Sequence, residues 1–124
     1  DEEVLRDRTH LLRMSGPEVF KHAVRAMADA SKQALALSGW EMADVDLVFP
    51  HQANIRIIKG TARYMGLPME KVFVNVDRYG NMSSATIPVA MDEAIEEGRL
   101  QRGMKLLLVA FGAGLTWGAM AVRW

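Results

Sequence analysis

The feature that most constrains this chain is an alternation. Three short apolar runs rich in β-branched and aromatic residues, VDLVF (45–49), KVFVNV (71–76) and KLLLVAF (105–111), are separated by segments whose apolar residues recur at helical spacing. Strands that alternate with helices need crossover connections, and these build a parallel sheet covered by helices. The predicted fold class is α/β.

The punctuation of the chain sets the boundaries. Residues 1–15 are charge-rich and read as loop. In SGPEVF, Ser15 or Gly16 lies near an N-cap, Pro17 takes the first helical position and Glu18 falls in the first turn. Val19, Phe20, Ala23, Val24, Met27, Ala28 and Leu35 carry that helix to Gly39. A second helix follows VDLVF, marked by Ile55, Ile58, Ala62 and Met65, with Asn54 as its N-cap and Gly66-Leu67-Pro68 as its stop. KVFVNV reads as the next strand. DRYGNMSS is turn chemistry centred on Tyr79-Gly80-Asn81. A third helix is predicted from about Ser84 to Glu97, stopped by Gly98, with Pro88 tolerable only near its start. After KLLLVAF the glycine-rich FGAGLTWG reverses the chain, and AMAVRW (119–124) alternates as a final, antiparallel strand. The expected order is helix-strand-helix-strand-helix-strand-strand around a mixed sheet, with no internal repeat.

Composition narrows the function classes. Half of the 124 residues are hydrophobic, enough for one domain with a real core. Fifteen basic and fifteen acidic residues cancel, which argues against a protein built to coat nucleic acid. With no cysteine, this chain offers no disulfide, thiolate metal site or cysteine nucleophile. The longest apolar run, Leu106 to Leu115, is ten residues and is broken by Gly112 and Gly114, far short of a membrane span. The charged opening DEEVLRDRTH has no signal-peptide core. A soluble, cytoplasmic protein is expected, whose acidic start reads as though it began partway through something longer.

In an open α/β sheet, functional groups collect beyond the carboxyl ends of the strands. His51 in FPHQAN, Asn81 in YGNMSS and the Gly112–Gly114 segment all fall there. Each has two readings. His51 either braces a strand end or offers an imidazole that titrates near working pH. Asn81 is either a turn former or an amide donor for a developing oxyanion. The glycines either serve a tight reversal or let backbone N–H groups approach a ligand. Arg56, Lys59 and Arg63, at i, i+3 and i+7, line one helix face, either solvated or a docking stripe for a phosphate or small acidic protein. His10 and His22 have no partners at metal-ligand spacing. Ser83 and Ser84 lack a GxSxG elbow and read as helix-start residues. Glu93, Glu96 and Glu97 read as a solvated cluster, and the nine methionines as core filler.

Taken together, PHQANIRII (50–58), DRYGNMSSATIPVAMDEA (77–94) and LLLVAFGAGLTWGAMAVRW (106–124) resemble the C-terminal half of β-ketoacyl-acyl-carrier-protein synthase III. MSGPEVFKHAV (14–24) resembles the same family's segment before its first C-half helix. The resemblance implies a thiolase-like fold of two βαβαβαββ halves and a decarboxylative Claisen condensation. It makes His51 and Asn81 the catalytic pair, and it gives the backbone of Gly112 and Ala113 to an oxyanion hole. Asn54 matches a position at the pantetheine tunnel, and Met14 and Gly16 match positions lining a coenzyme A channel. Arg56, with Lys59 and Arg63 beside it, matches an acyl-carrier-protein docking surface. The substrates implied are a coenzyme A thioester and the phosphopantetheine of the carrier protein, with no other cofactor and no metal.

The resemblance also implies what lies outside these residues. The family's cysteine belongs to an N-terminal half, and one further strand, central to this half, is expected ahead of residue 1. Its absence predicts an unpaired gap in the middle of the sheet. The chain is expected to be residues 1–124 of a C-terminal domain, inactive alone, with its own N-terminal half and a second copy as partners. Neither nucleic acid nor membrane is expected as a partner. The alternatives are a non-catalytic carrier-protein or coenzyme A binding module, and a thiolase-fold enzyme of secondary metabolism.

Overall fold

The computed structural model describes residues 2–7 and 16–124. Met14, Ser15 and His10 lie outside the described residues. The first element, α1 (Glu2–Arg6), corrects the expectation of loop throughout 1–15. Two acids in its first turn and Arg6 in its last complement the helix dipole. The long helix α2 (Gly16–Ser38) ends where Gly39 turns to a positive φ of 67°. Strand β1 (Leu47–Pro50) leads to α3 (Ile55–Met65), which Gly66 closes in the left-handed conformation.

The sheet has three strands in the order β1-β2-β3, where β2 is Lys105–Gly112 and β3 is Thr116–Arg123. β1 and β2 are parallel, with Leu47 opposite Leu106 and Pro50 opposite Val109. β2 and β3 are antiparallel. The mixed sheet is as expected, but the gap is not there. β1 and β2 pair directly, so the backbone groups of their facing edges bond each other.

The two faces of the parallel pair are both buried, as crossover helices require. Val48, Leu107 and Val109 pack with Met27 and Leu35 of α2 and Ile58 and Ala62 of α3. Leu47, Phe49 and Leu106 point the other way, to Phe73, Leu100 and two alanines, Ala90 and Ala94. Those alanines belong to α5 (Thr86–Glu96), which starts two residues later than expected after a 3₁₀ turn over Ser83–Ala85. Pro88 sits in its first turn, where no intrahelical N–H is required. At Gly60, α2 and α3 meet so closely that a Cβ would lie 3.0 Å from Phe20 Cζ and Val24 Cγ2.

KVFVNV is the element the sequence misassigns. A single parallel bridge joins Val72 to Val48, with Phe73 N–H donating to Val48 O at 2.9 Å. Beyond it no strand forms, because a side chain takes the place of a partner strand. Gln52, wholly buried, accepts from the N–H groups of Asn75 (2.9 Å) and Val76 (3.1 Å). Its own Nε2 donates to Phe73 O (3.1 Å) and Pro50 O (2.9 Å). The chain then coils into the one-turn helix α4 (Val76–Tyr79), which takes the last residue of the expected strand and the first three of the expected turn.

Candidate active site

The parallel strands deliver their carboxyl ends side by side. One step past β1, His51 N–H donates to Val109 O at 2.7 Å, extending the ladder and fixing the histidine backbone beside β2. The imidazole is half-buried, and burial alone holds its pKa below the ordinary histidine value, so the neutral form is favoured. Its Nδ1 lies 2.6 Å from the hydroxyl of Thr86, the first residue of α5. His51, Ser83, Gly112 and Trp117 are among the walls of a cavity of about 290 Å³.

Asn81 stands on the exposed turn ahead of the 3₁₀ segment. Its Oδ1 accepts the N–H of Ser83 at 2.9 Å, which settles which end of the amide faces inward to the turn. The Nδ2 group has no partner among the described residues and is free to donate. Two backbone features shape this turn: Gly80 (φ 67°, ψ −163°), a region open to glycine, and Ser83 with a left-handed φ of 54°.

The structure brings His51, Ser83, Ser84 and Gly112 to one cavity, with Asn81 attached to its rim through Ser83. Ala113 lies in the exposed hairpin, its carbonyl accepting from Thr116 Oγ1 at 3.0 Å, and does not line the cavity. Asn54 caps α3 as expected, its Oδ1 accepting the Arg56 N–H at 2.7 Å. Arg56, Lys59 and Arg63 are exposed on α3, and none forms an ion pair among the described residues. Gly16 opens α2 and is exposed.

Three residues were misjudged or missed in the sequence. Glu93, expected to be solvated, has a side chain only 17% exposed, held by Arg78 Nη2 at 2.6 Å and Asn75 Nδ2 at 2.8 Å. The Arg78 and Asn75 hydrogen bonds keep its pKa below the ordinary glutamate value. Glu96 and Glu97 are exposed, as expected. Gln52 and Thr86 are not among the residues that the sequence pattern singles out. A polar residue wedged between an apolar run and an amphipathic one was the available signal for Gln52. Nothing in the local sequence marks Thr86, whose partner His51 lies 35 residues away. Among the described residues no acidic, histidine or cysteine cluster could hold a metal ion, and no helix is long and apolar enough to cross a membrane.

Residues 35–124 match the family model described as 3-oxoacyl-[acyl-carrier-protein] synthase III, C terminal. The chain belongs to this family. The synthase III C-terminal match takes in His51, Asn54, Arg56, Lys59, Arg63, Asn81, Gly112 and Ala113, and leaves Gly16 outside. The β-ketoacyl-[acyl-carrier-protein] synthase III of Roseiflexus sp. (strain RS-1) is 52% identical over 98% of this chain and 37% of its own length. That of Clostridioides difficile (strain 630) is 50% identical over the same shares. A crystal structure of 3-oxoacyl-[acyl-carrier-protein] synthase III from Aquifex aeolicus VF5 superposes with a TM-score of 0.88 at 50% identity, covering 90% of this chain and 36% of that one. The chain thus spans a little over a third of the synthase III proteins it matches, and its α/β fold is thiolase-like.

Proposed function

We propose that this chain is the C-terminal domain of a cytoplasmic acyltransferase, a β-ketoacyl-acyl-carrier-protein synthase III. In this reading it supplies the histidine and asparagine of the active site, and an N-terminal half supplies the cysteine nucleophile. The observation that carries the reading is His51: a half-buried imidazole, biased to neutrality, anchored through Nδ1 and opening on a cavity at the strand ends.

The chemistry fits those residue types. A short acyl group passes from coenzyme A to the cysteine sulfur, and the coenzyme A thiol leaves. Malonyl-acyl carrier protein then loses CO₂: the carbon–carbon bond to the carboxylate breaks and its electron pair becomes an enolate. The charge collects on the thioester oxygen. N–H donors from His51 and Asn81 stabilise that oxygen, each removal costing ~10²–10³ in rate, about 3–4 kcal/mol. The enolate carbon attacks the acyl thioester, the cysteine thiolate leaves, and the backbone N–H of Gly112, which lines the cavity, holds the tetrahedral oxyanion. Neither donor takes a proton from carbon, which suits a neutral imidazole and an uncharged amide.

The same reading assigns the exposed surfaces. Arg56, Lys59 and Arg63, with no acidic partner among the described residues, meet the acidic carrier protein. Asn54, with its amide N–H₂ uncommitted by the cap, contacts pantetheine, and Met14 and Gly16 border the coenzyme A channel. No cofactor beyond these thioester substrates is required, and the working assembly is a homodimer of two-half subunits.

His51→Ala in the complete enzyme is expected to abolish malonyl decarboxylation, followed as CO₂ release, while acetyl loading of the cysteine persists in part. Equal loss of both steps removes the assigned role. Arg56→Glu is expected to raise KM for carrier-protein substrates about tenfold or more while sparing malonyl-coenzyme A, since one surface charge reversal acts through docking. An equal effect on both substrates would make the stripe a plain solvated face.

A further inference from the structure

The hydroxyl of Thr86 has one proton and two groups within reach, the carbonyl of Ser83 and the ring nitrogen Nδ1 of His51, which donates or accepts according to its tautomer. Ser83 O lies at 3.0 Å and His51 Nδ1 at 2.6 Å. The carbonyl of Ser83 is already bonded, because it accepts the backbone N–H of Thr86 at the end of the 3₁₀ turn. Nδ1 of His51 has no other hydrogen-bond partner among the described residues. The contact to Nδ1 is the shorter of the two, and a proton placed there gives the ring its one partner among the described residues. Thr86 is wholly buried, so water cannot take over the role of its hydroxyl.

We propose that Thr86 is a positioning residue: its hydroxyl donates to His51 Nδ1 and holds the imidazole in the tautomer whose proton sits on Nε2. The inference rests on the decarboxylation reading above and extends it. With the proton on Nδ1 instead, Nε2 would present a lone pair to the enolate oxygen and repel it. The tautomer therefore decides whether His51 is a donor at all. The bond also ties the first turn of α5 to the end of β1, so the helix that follows the Asn81 turn sets the ring's orientation as well as its proton.

The test is made in the complete condensing enzyme with malonyl-coenzyme A as the probe. Thr86→Val keeps the shape and removes the hydroxyl. It is expected to lower decarboxylation by at least about tenfold, bounded by the ~10²–10³ of losing one oxyanion donor. Thr86→Ser restores the hydroxyl and is expected to return the rate to within about threefold of the parent, a difference small against that donor's worth. Nitrogen-15 spectra of the His51 ring in the unsubstituted protein are expected to show Nε2 protonated and Nδ1 bare, with Thr86→Val moving to a mixture. A proton on Nδ1 in the unsubstituted protein, or a folded Thr86→Val at the parent rate, overturns the proposal. Should Thr86→Val fail to fold, the ring spectrum of the unsubstituted protein decides alone. His51→Ala separates the two layers: if it keeps the decarboxylation rate, the reading of the site falls, while the ring spectrum still reports on the hydroxyl.

Discussion

The two turns that present the polar groups of this site are held in different ways. The turn after β1 is tied down from a distance. Gln52 reaches residues 73, 75 and 76, His51 N–H reaches Val109, and the His51 ring reaches Thr86. The turn that carries Asn81 is held mostly by itself, through the Asn81–Ser83 bond, the unusual backbone of Gly80 and the left-handed Ser83. The histidine is thereby a product of the whole fold, whereas the asparagine is set by about six consecutive residues. One end of the site should fail with the core, and the other should fail alone.

Substitutions can break that contrast in order of size. Gln52→Leu has the largest expected effect, because it strips hydrogen bonds from four backbone groups at once. Buried groups left without partners cost ~1–3 kcal/mol each, so a loss of about 3–5 kcal/mol is expected after partial relaxation. A urea midpoint read with an unchanged m-value measures it, and a loss below about 1 kcal/mol would dissolve the contrast. Asn81→Asp comes next. It exchanges the amide donor for an acceptor and is expected to cut decarboxylation by ~10²–10³ while leaving the unfolding midpoint near the parent value. A matching loss of stability would show that this turn, too, is knit into the core. Asn54→Ala is the smallest. It removes a local cap from the first turn, costs about 1 kcal/mol of stability, and leaves the His51 reactions unchanged apart from pantetheine-dependent binding. A fall in the decarboxylation kcat at saturating malonyl-coenzyme A in that variant, beyond any change in KM, would mean that the cap, rather than the long-range bonds, positions the histidine.

The same contrast explains what the sequence could and could not tell. Helices α2 and α3 were legible because their apolar spacing and their caps, Gly39, Asn54 and Gly66, are local facts. The candidate residues at the strand ends were legible too, since topology alone puts them on one edge. KVFVNV misled for a specific reason. Its side chains do alternate, with Val72 in one core cluster and Phe73 in the other. Periodicity reports where side chains point. It carries no information on what the backbone amides bond to, and here those of Asn75 and Val76 bond a glutamine 23 and 24 residues upstream. Glu93 was misread likewise, because its partners Asn75 and Arg78 come from another part of the chain. Thr86 has no local mark at all: its importance exists only once α5 lies against the end of β1.

The buried amide of Gln52 has one more consequence, which concerns how proteins avoid sticking to one another. A strand edge with free N–H and C=O groups is a template on which another chain can add. Past Val48 the growing edge meets a segment whose next donors and acceptor are already occupied by a side chain, and the backbone then curls into a helical turn. The sheet is brought to a stop on that side by Gln52 together with Pro50, the last residue of β1, which has no N–H to offer a further strand. Gln52 thus guards solubility as well as geometry.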